Sequence, residues 1–183
     1  MRRAMILVLL LSGCAGQPFV PDTARFPPNG FGGGTLDPDV QATNLAAWAF
    51  ADPSRTRNDP VDAARATASM DYIAGELYTS PRWANISAVT KMQLLQGRTE
   101  MREAIGVAPN APSQLVVNGL TGAGNALAAG NQGAALAALE NPAFPNPQAT
   151  LARLYALPYI HMANVSTMRA AGQLYDSNTR DWF

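Results

Sequence analysis

Residues 59–79 read DPVDAARATASMDYIAGELYT, a helix from its opening pair of residues to its last. Asp59 can accept from the unpaired amides of a first helical turn, and Pro60 suits the first helical position because its missing N–H has no partner there anyway. Alanine, the strongest helix former, recurs through the stretch, and no proline or strand-like alternation interrupts it. Val61, Ala64, Ala68, Tyr72 and Gly75 fall on one side, with Met70, Ile73 and Leu77 widening the apolar face. A helix of this composition is stable only if that face is covered by other helices.

The same grammar recurs in both directions. Asp37-Pro38 predicts a helix through Leu45, Trp48 and Ala49 to about Asp52-Pro53. Ser80-Pro81 predicts a third and longest helix, carrying Trp83, Ile86, Val89, Leu94, Leu95, Met101 and Ile105 and closed by Gly106. Its apolar positions occupy more than one face, which places it centrally. A fourth helix is expected from Pro112-Ser113 to Gly130, a short fifth from Asn131 to Glu140, a sixth from Gln148 to Leu157, and a last from Tyr159 to Tyr175. The expectation is an all-α fold: a single bundle of six to seven helices over residues 37–183.

Ahead of the bundle, residues 14–36 are rich in breakers, with Pro18, Pro21, Pro27 and Pro28 followed by Gly30, Gly32, Gly33 and Gly34. Such a stretch holds no helix and reads as a flexible tether. The other reading is an ordered arm, with Phe19, Phe26 and Phe31 packed along the domain.

The extreme N-terminus has the anatomy of an export signal: Arg2 and Arg3, an apolar run from Met5 to Leu11, then Leu11-Ser12-Gly13-Cys14. The run is shorter than the roughly 20 residues that cross a bilayer as a helix. The quartet resembles the lipobox of bacterial lipoproteins. That resemblance implies removal of residues 1–13, a diacylglyceryl group on Cys14 as the membrane contact, and, with Ala15 rather than Asp following, residence at the outer membrane facing the periplasm. An ordinary secretory signal cleaved after Ala15 is the alternative. Cys14 is the only cysteine, so an internal disulfide is excluded. Loss of Arg2 and Arg3 from the 13 basic side chains leaves 11 against 13 acidic ones, a balance with no general attraction to nucleic acid.

The candidate chemistry is sparse. Gly119-Leu-Thr-Gly-Ala-Gly124-Asn125-Ala126 has the glycines of a phosphate loop but Asn and Ala where lysine and a hydroxyl are required, so it reads as small residues for close helix packing. The stretch from Gly124 through Gly130 to Ala135, Leu139 and Pro142 resembles one tetratricopeptide repeat, without a second copy. His161, the single histidine, lacks the companions a zinc site or triad needs and reads as a core or boundary residue with one hydrogen bond. No residue set calls for a cofactor. Glu76, beside Tyr72 and Tyr78, is in a setting able to raise its pKa and is the candidate acid for an envelope-glycan (peptidoglycan) enzyme. Lys91, Arg98 and Arg102 share one side of the third helix, where Glu100 and Glu103 favour a mixed-charge solvated face or intramolecular pairing. The other reading is a candidate partner surface, joined by Trp182 and Phe183 at the C-terminus if these do not dock on the bundle. The favoured functional expectation is a lipid-anchored interaction or structural module that meets an envelope protein or the cell wall.

Overall fold

Seven helices form, and most start where a short polar side chain turns back on the chain. In a computed structural model that describes residues 21–27 and 37–180, without the side chains of 177–180, these are α1 (Pro38–Ala51), α2 (Pro60–Thr79), α3 (Ala88–Ile105), α4 (Ser113–Ala128), α5 (Gln132–Leu139), α6 (Pro147–Tyr155) and α7 (His161–Arg180). The Asp37 carboxylate accepts from the amides of Asp39 and Val40, and Asp59 caps Asp62. Ser87, Asn131 and Asn146 serve α3, α5 and α6 in the same way. Each such cap contributes about 1 kcal/mol by satisfying an amide that the helix cannot. At the other end of α3, Gly106 takes the left-handed conformation with φ 79°, and Val107 N–H donates back to Arg102 at 2.9 Å.

The fold class is as expected: an all-helical bundle, with no strand among the described residues. Two details differ from the sequence reading. The Ser80-Pro81 signal opens only a 3-10 turn over Pro81–Trp83, and α3 starts at Ala88 behind its own cap, Ser87. The turn is needed because Trp83 and Ile86 must reach the core, and Trp83 is held there by donating its indole N–H to Asp39 at 2.7 Å. Consequently α2 and α7, not α3, are the longest helices.

The centre of the bundle is also α2 rather than α3. From Ala63 to Leu77 almost every side chain of α2 is buried, and it packs against α1, α3, α4 and α6. By contrast α3 keeps one solvated side, where Val89, Met92, Gln96, Thr99 and Glu103 recur at helical spacing. Its inner side meets α7, which runs antiparallel to it. Arg169 donates to Gln93, Gln173 to Thr90, and the amide of Met162 to Glu100.

Alanine and glycine set the close spacing. A Cβ on Gly97 would lie 2.7 Å from Met70 Cε and 3.1 Å from the backbone of Ala163, so α2, α3 and α7 converge on that residue. A Cβ on Gly119 would lie 2.5 Å from the Phe144 ring and 3.3 Å from the Ala138 carbonyl, consistent with reading the glycine-rich segment as a packing surface. α4 and α5 do form a hairpin there, but α4 lies on α2 and belongs to the single bundle.

Gly97→Val should therefore destabilise the protein by about 1–3 kcal/mol, read as a lower urea midpoint. Gly172→Ala, on the same α7 with nothing within 4 Å of its added methyl, should raise the midpoint by about 0.5–1 kcal/mol. Equal responses of the two would contradict the packing described.

Candidate functional site

The residues singled out as a cationic partner surface do not form one. Arg98 and Arg102 are each only 9% exposed. Arg102 grips Asp71 of α2 through Nε at 2.6 Å and Nη2 at 2.8 Å, and also donates to Ser113 Oγ and the Ala111 carbonyl. Asp71 is fully buried, so this two-pronged pair neutralises a carboxylate that could not otherwise be desolvated. Arg98 donates to Ser113 Oγ and to the backbone carbonyl of Asp22. Burial lowers the pKa of Arg98, with Asp71 and Asp22 working in the opposite direction. The expectation of a surface row is corrected: only Lys91 of the three lies away from the core, half-buried, its ammonium pKa lowered by burial.

The second correction concerns residues 21–27, which the composition assigned to the tether. They lie along the bundle as an extended arm. Asp22 accepts from the Ser113 amide at 2.5 Å, acting as a cap for α4, whose own N-cap position is Pro112 and has no side chain to offer. The Arg25 amide donates to Gln114 Oε1 while Gln114 Nε2 donates to the Arg25 carbonyl. Ala24 is buried, and the Phe26 ring sits 4.9 Å from Tyr72. Gly75 is required beneath the arm, because a Cβ there would come within 2.5 Å of the Asp22 carbonyl. The ordered-arm reading therefore holds for Phe26, whereas Phe19 and Phe31 lie outside the described residues.

A second buried carboxylate stands on the other side of Tyr72. Asp39 accepts from the Tyr72 hydroxyl, from Trp83 Nε1 and from Arg82 Nη1 at 3.3 Å, while Arg82 also pairs with Asp37. Burial and then the bond to Asp39 push the Tyr72 phenol well above its ordinary pKa, so it stays a donor. Both networks brace helices: every carboxylate in them is matched to fixed donors, and Asp39 joins α1, α2 and the turn at Trp83.

Glu76 is partly buried near Tyr72. It lines none of four concavities formed by the described residues, which lie on α3, between α1 and the segment before α7, between α5 and α6, and beside Arg98 and Arg102. His161 is exposed at the first position of α7, edge-on to Tyr159 at 6.2 Å and with no side-chain hydrogen bond among the described residues, which corrects the reading as a core or boundary residue with one hydrogen bond. Among the described residues no group of three or more His, Cys, Asp or Glu could hold a metal. Cys14, Trp182 and Phe183 lie outside the described residues.

The largest of the four concavities is a shallow groove of about 590 Å³ on the outer side of α3, lined by Val89, Met92, Leu95, Gln96 and Thr99 among others. Sequence reasoning missed it by counting Val89 and Leu95 among the apolar positions of a central helix and leaving Met92 out. No family model, curated protein or solved structure matches the chain.

Two measurements probe the arm and its lock. Arg102→Met should cost about 3–5 kcal/mol because Asp71 is left buried and unpaired, and adding Asp71→Leu should restore much of the loss in a urea titration. Asp22→Ala removes the cap on α4 and should speed trypsin cleavage after Arg25 by about tenfold, as expected for a lost cap of roughly 1–2 kcal/mol. Unchanged cleavage would mean that the arm is held by other contacts.

Proposed function

We propose that this chain is a cell-envelope lipoprotein, held on a membrane by acyl chains on Cys14, whose helical domain serves as an interaction or structural module for an envelope protein or the cell wall. The observation that carries the reading is Leu11-Ser12-Gly13-Cys14 behind Arg2, Arg3 and a short apolar run. Among the described residues no helix is long and apolar enough to cross a membrane, so on this reading attachment falls to the lipid. Each buried methylene contributes about 0.8 kcal/mol, and the two or three chains of a lipoprotein hold where a single chain would exchange. Confinement to a surface raises the effective concentration of the domain toward partners on the same surface, which is the physical advantage such a module gains. Ala15 after the cysteine favours the outer membrane, facing the periplasm, by the same resemblance.

The buried charges support a module over an enzyme. Asp39 and Asp71, the two carboxylates sequestered in the bundle, are committed to arginine, tryptophan and tyrosine donors.

The test is mass spectrometry of the chain recovered from bacterial membranes. We expect a mature N-terminus at Cys14 carrying a diacylglyceryl adduct, and release of Cys14→Ser into the soluble fraction. A free, unmodified thiol in the periplasmic fluid would overturn the anchoring. Soluble fragments released from peptidoglycan by the purified protein, and lost in Glu76→Gln, would overturn the module reading in favour of a glycan-cleaving enzyme.

A further inference from the structure

We propose that the outer side of α3 lies against the bilayer surface that carries the Cys14 lipid, so that the domain is apposed to its membrane rather than standing away from it. The inference rests on the anchoring reading above and adds the face and the distance.

Distance comes from the arm. If residues 14–36 were all spacer, the domain would stand off by some 25 Å on average. Because Pro21 to Phe26 are docked on the bundle, the lipidated residue is separated from the folded body by no more than Ala15 to Val20. Six residues reach at most about 21 Å when fully extended, and about 13 Å as a flexible chain. A helix with its side chains is about 10–12 Å across. The bundle is thus held within a helix diameter or two of the headgroups, and one of its sides must face them.

The choice of side comes from α3 itself. Its Arg98 donates to the Asp22 carbonyl, so α3, together with α2 at Gly75 and α4 at Ser113, borders the point where the leash meets the bundle. The outer stripe of α3 carries Val89 at 62% and Met92 at 55% exposure, with Gln96 and Thr99 continuing it, and its charges, Glu100 bonded to Gln96 and then Glu103, are confined to the C-terminal end. Lys91 stands to one side of the stripe and Arg169, donating to Gln93 at 2.7 Å, to the other. The N-terminal part of the strip, Val89 to Gln96, is uncharged and partly apolar between two cations, which fits an interface whose outer layer is phosphate and whose next layer is acyl ester. On the adjacent α7, Met168 and Tyr175, seven residues apart and so on one stripe, are also exposed.

Depth measurement on the full-length, lipidated protein tests this. Acylation consumes Cys14, so Met92→Cys, Val89→Cys and the control Ala134→Cys on α5 each provide a single free thiol for a nitroxide label. The labelled proteins are reconstituted in vesicles of phosphatidylethanolamine and phosphatidylglycerol, with the lipid on Cys14 verified by mass. Expected is a several-fold higher ratio of oxygen to nickel-chelate accessibility at 92 and 89 than at 134. A lipidated chain whose labels at 92 and 89 are as water-accessible as that at 134 overturns this proposal and leaves the anchoring intact. Spin–spin broadening at 92 that survives dilution among vesicles means that a second copy covers the strip, and likewise overturns it. An unmodified Cys14 overturns the anchoring reading and this proposal with it.

Discussion

Asp71 has no contact with solvent, and the bundle is arranged around keeping it paired. Its two oxygens take Arg102 from α3, and Arg102 in turn takes Ser113 and the Ala111 carbonyl ahead of α4. Three helices are thereby fixed in rotation and in register, since a slip of one residue along any of them would strand a charge in the interior. A buried pair of this kind contributes little net stability over a well-packed apolar substitute, but breaking one half is expensive. Its role here is therefore better described as specificity. Many alanine faces could pack in several alignments, and the Arg102–Asp71–Ser113 network leaves one.

That constraint matters more because the core is built from small side chains. Ala63, Ala64, Ala66, Ala68 and Ala74 of α2 are all completely buried, and Gly97 and Gly119 allow neighbouring backbones to approach. Close approach recovers dispersion contacts that small side chains cannot reach at ordinary separation, but it supplies few interlocking shapes. Larger residues, including Met70, Ile73, Leu94, Met101 and Leu120, fill the volume between these crossings. Polar networks then supply the discrimination that bulky interdigitation provides in other bundles.

The helices were legible in the sequence because their starts are written in local chemistry. Asp37, Asp59, Asn131 and Asn146 cap the turns that follow them, and proline opens three of the seven helices. Where a long-range contact outweighed the local signal, the reading failed. Ser80-Pro81 has the grammar of a helix start, yet the demand of Asp39 for the Trp83 indole, 44 residues away, confines it to one turn. Arg98 and Arg102 looked like surface cations, although Arg98 falls in the stripe of Leu94, Met101 and Ile105, and Asp71 falls among the apolar residues of α2. Opposite charges on two inward faces were the available sign of a buried pair. For residues 21–27, Pro21 and Pro27 correctly excluded a helix but said nothing about docking, which depends on Gly75, Arg98 and Ser113 far along the chain.

The arm also decides how an anchor at Cys14 would act on the fold. Among the described residues, a pull toward the membrane would meet a pinned point at Asp22, whose carboxylate meets the Ser113 amide and whose carbonyl meets Arg98. Ser113 Oγ accepts from both Arg98 and Arg102, so the load passes into the same network that holds Asp71. The start of α1 lies beyond a further segment and is separately secured by Arg82 and Asp39, which shields the helix from that load. On the anchored reading, the load from Cys14 and the register of the helices would converge on a few side chains around Ser113. A tether running freely to residue 36 would instead have delivered the same force to the Asp37 cap of α1, away from that network.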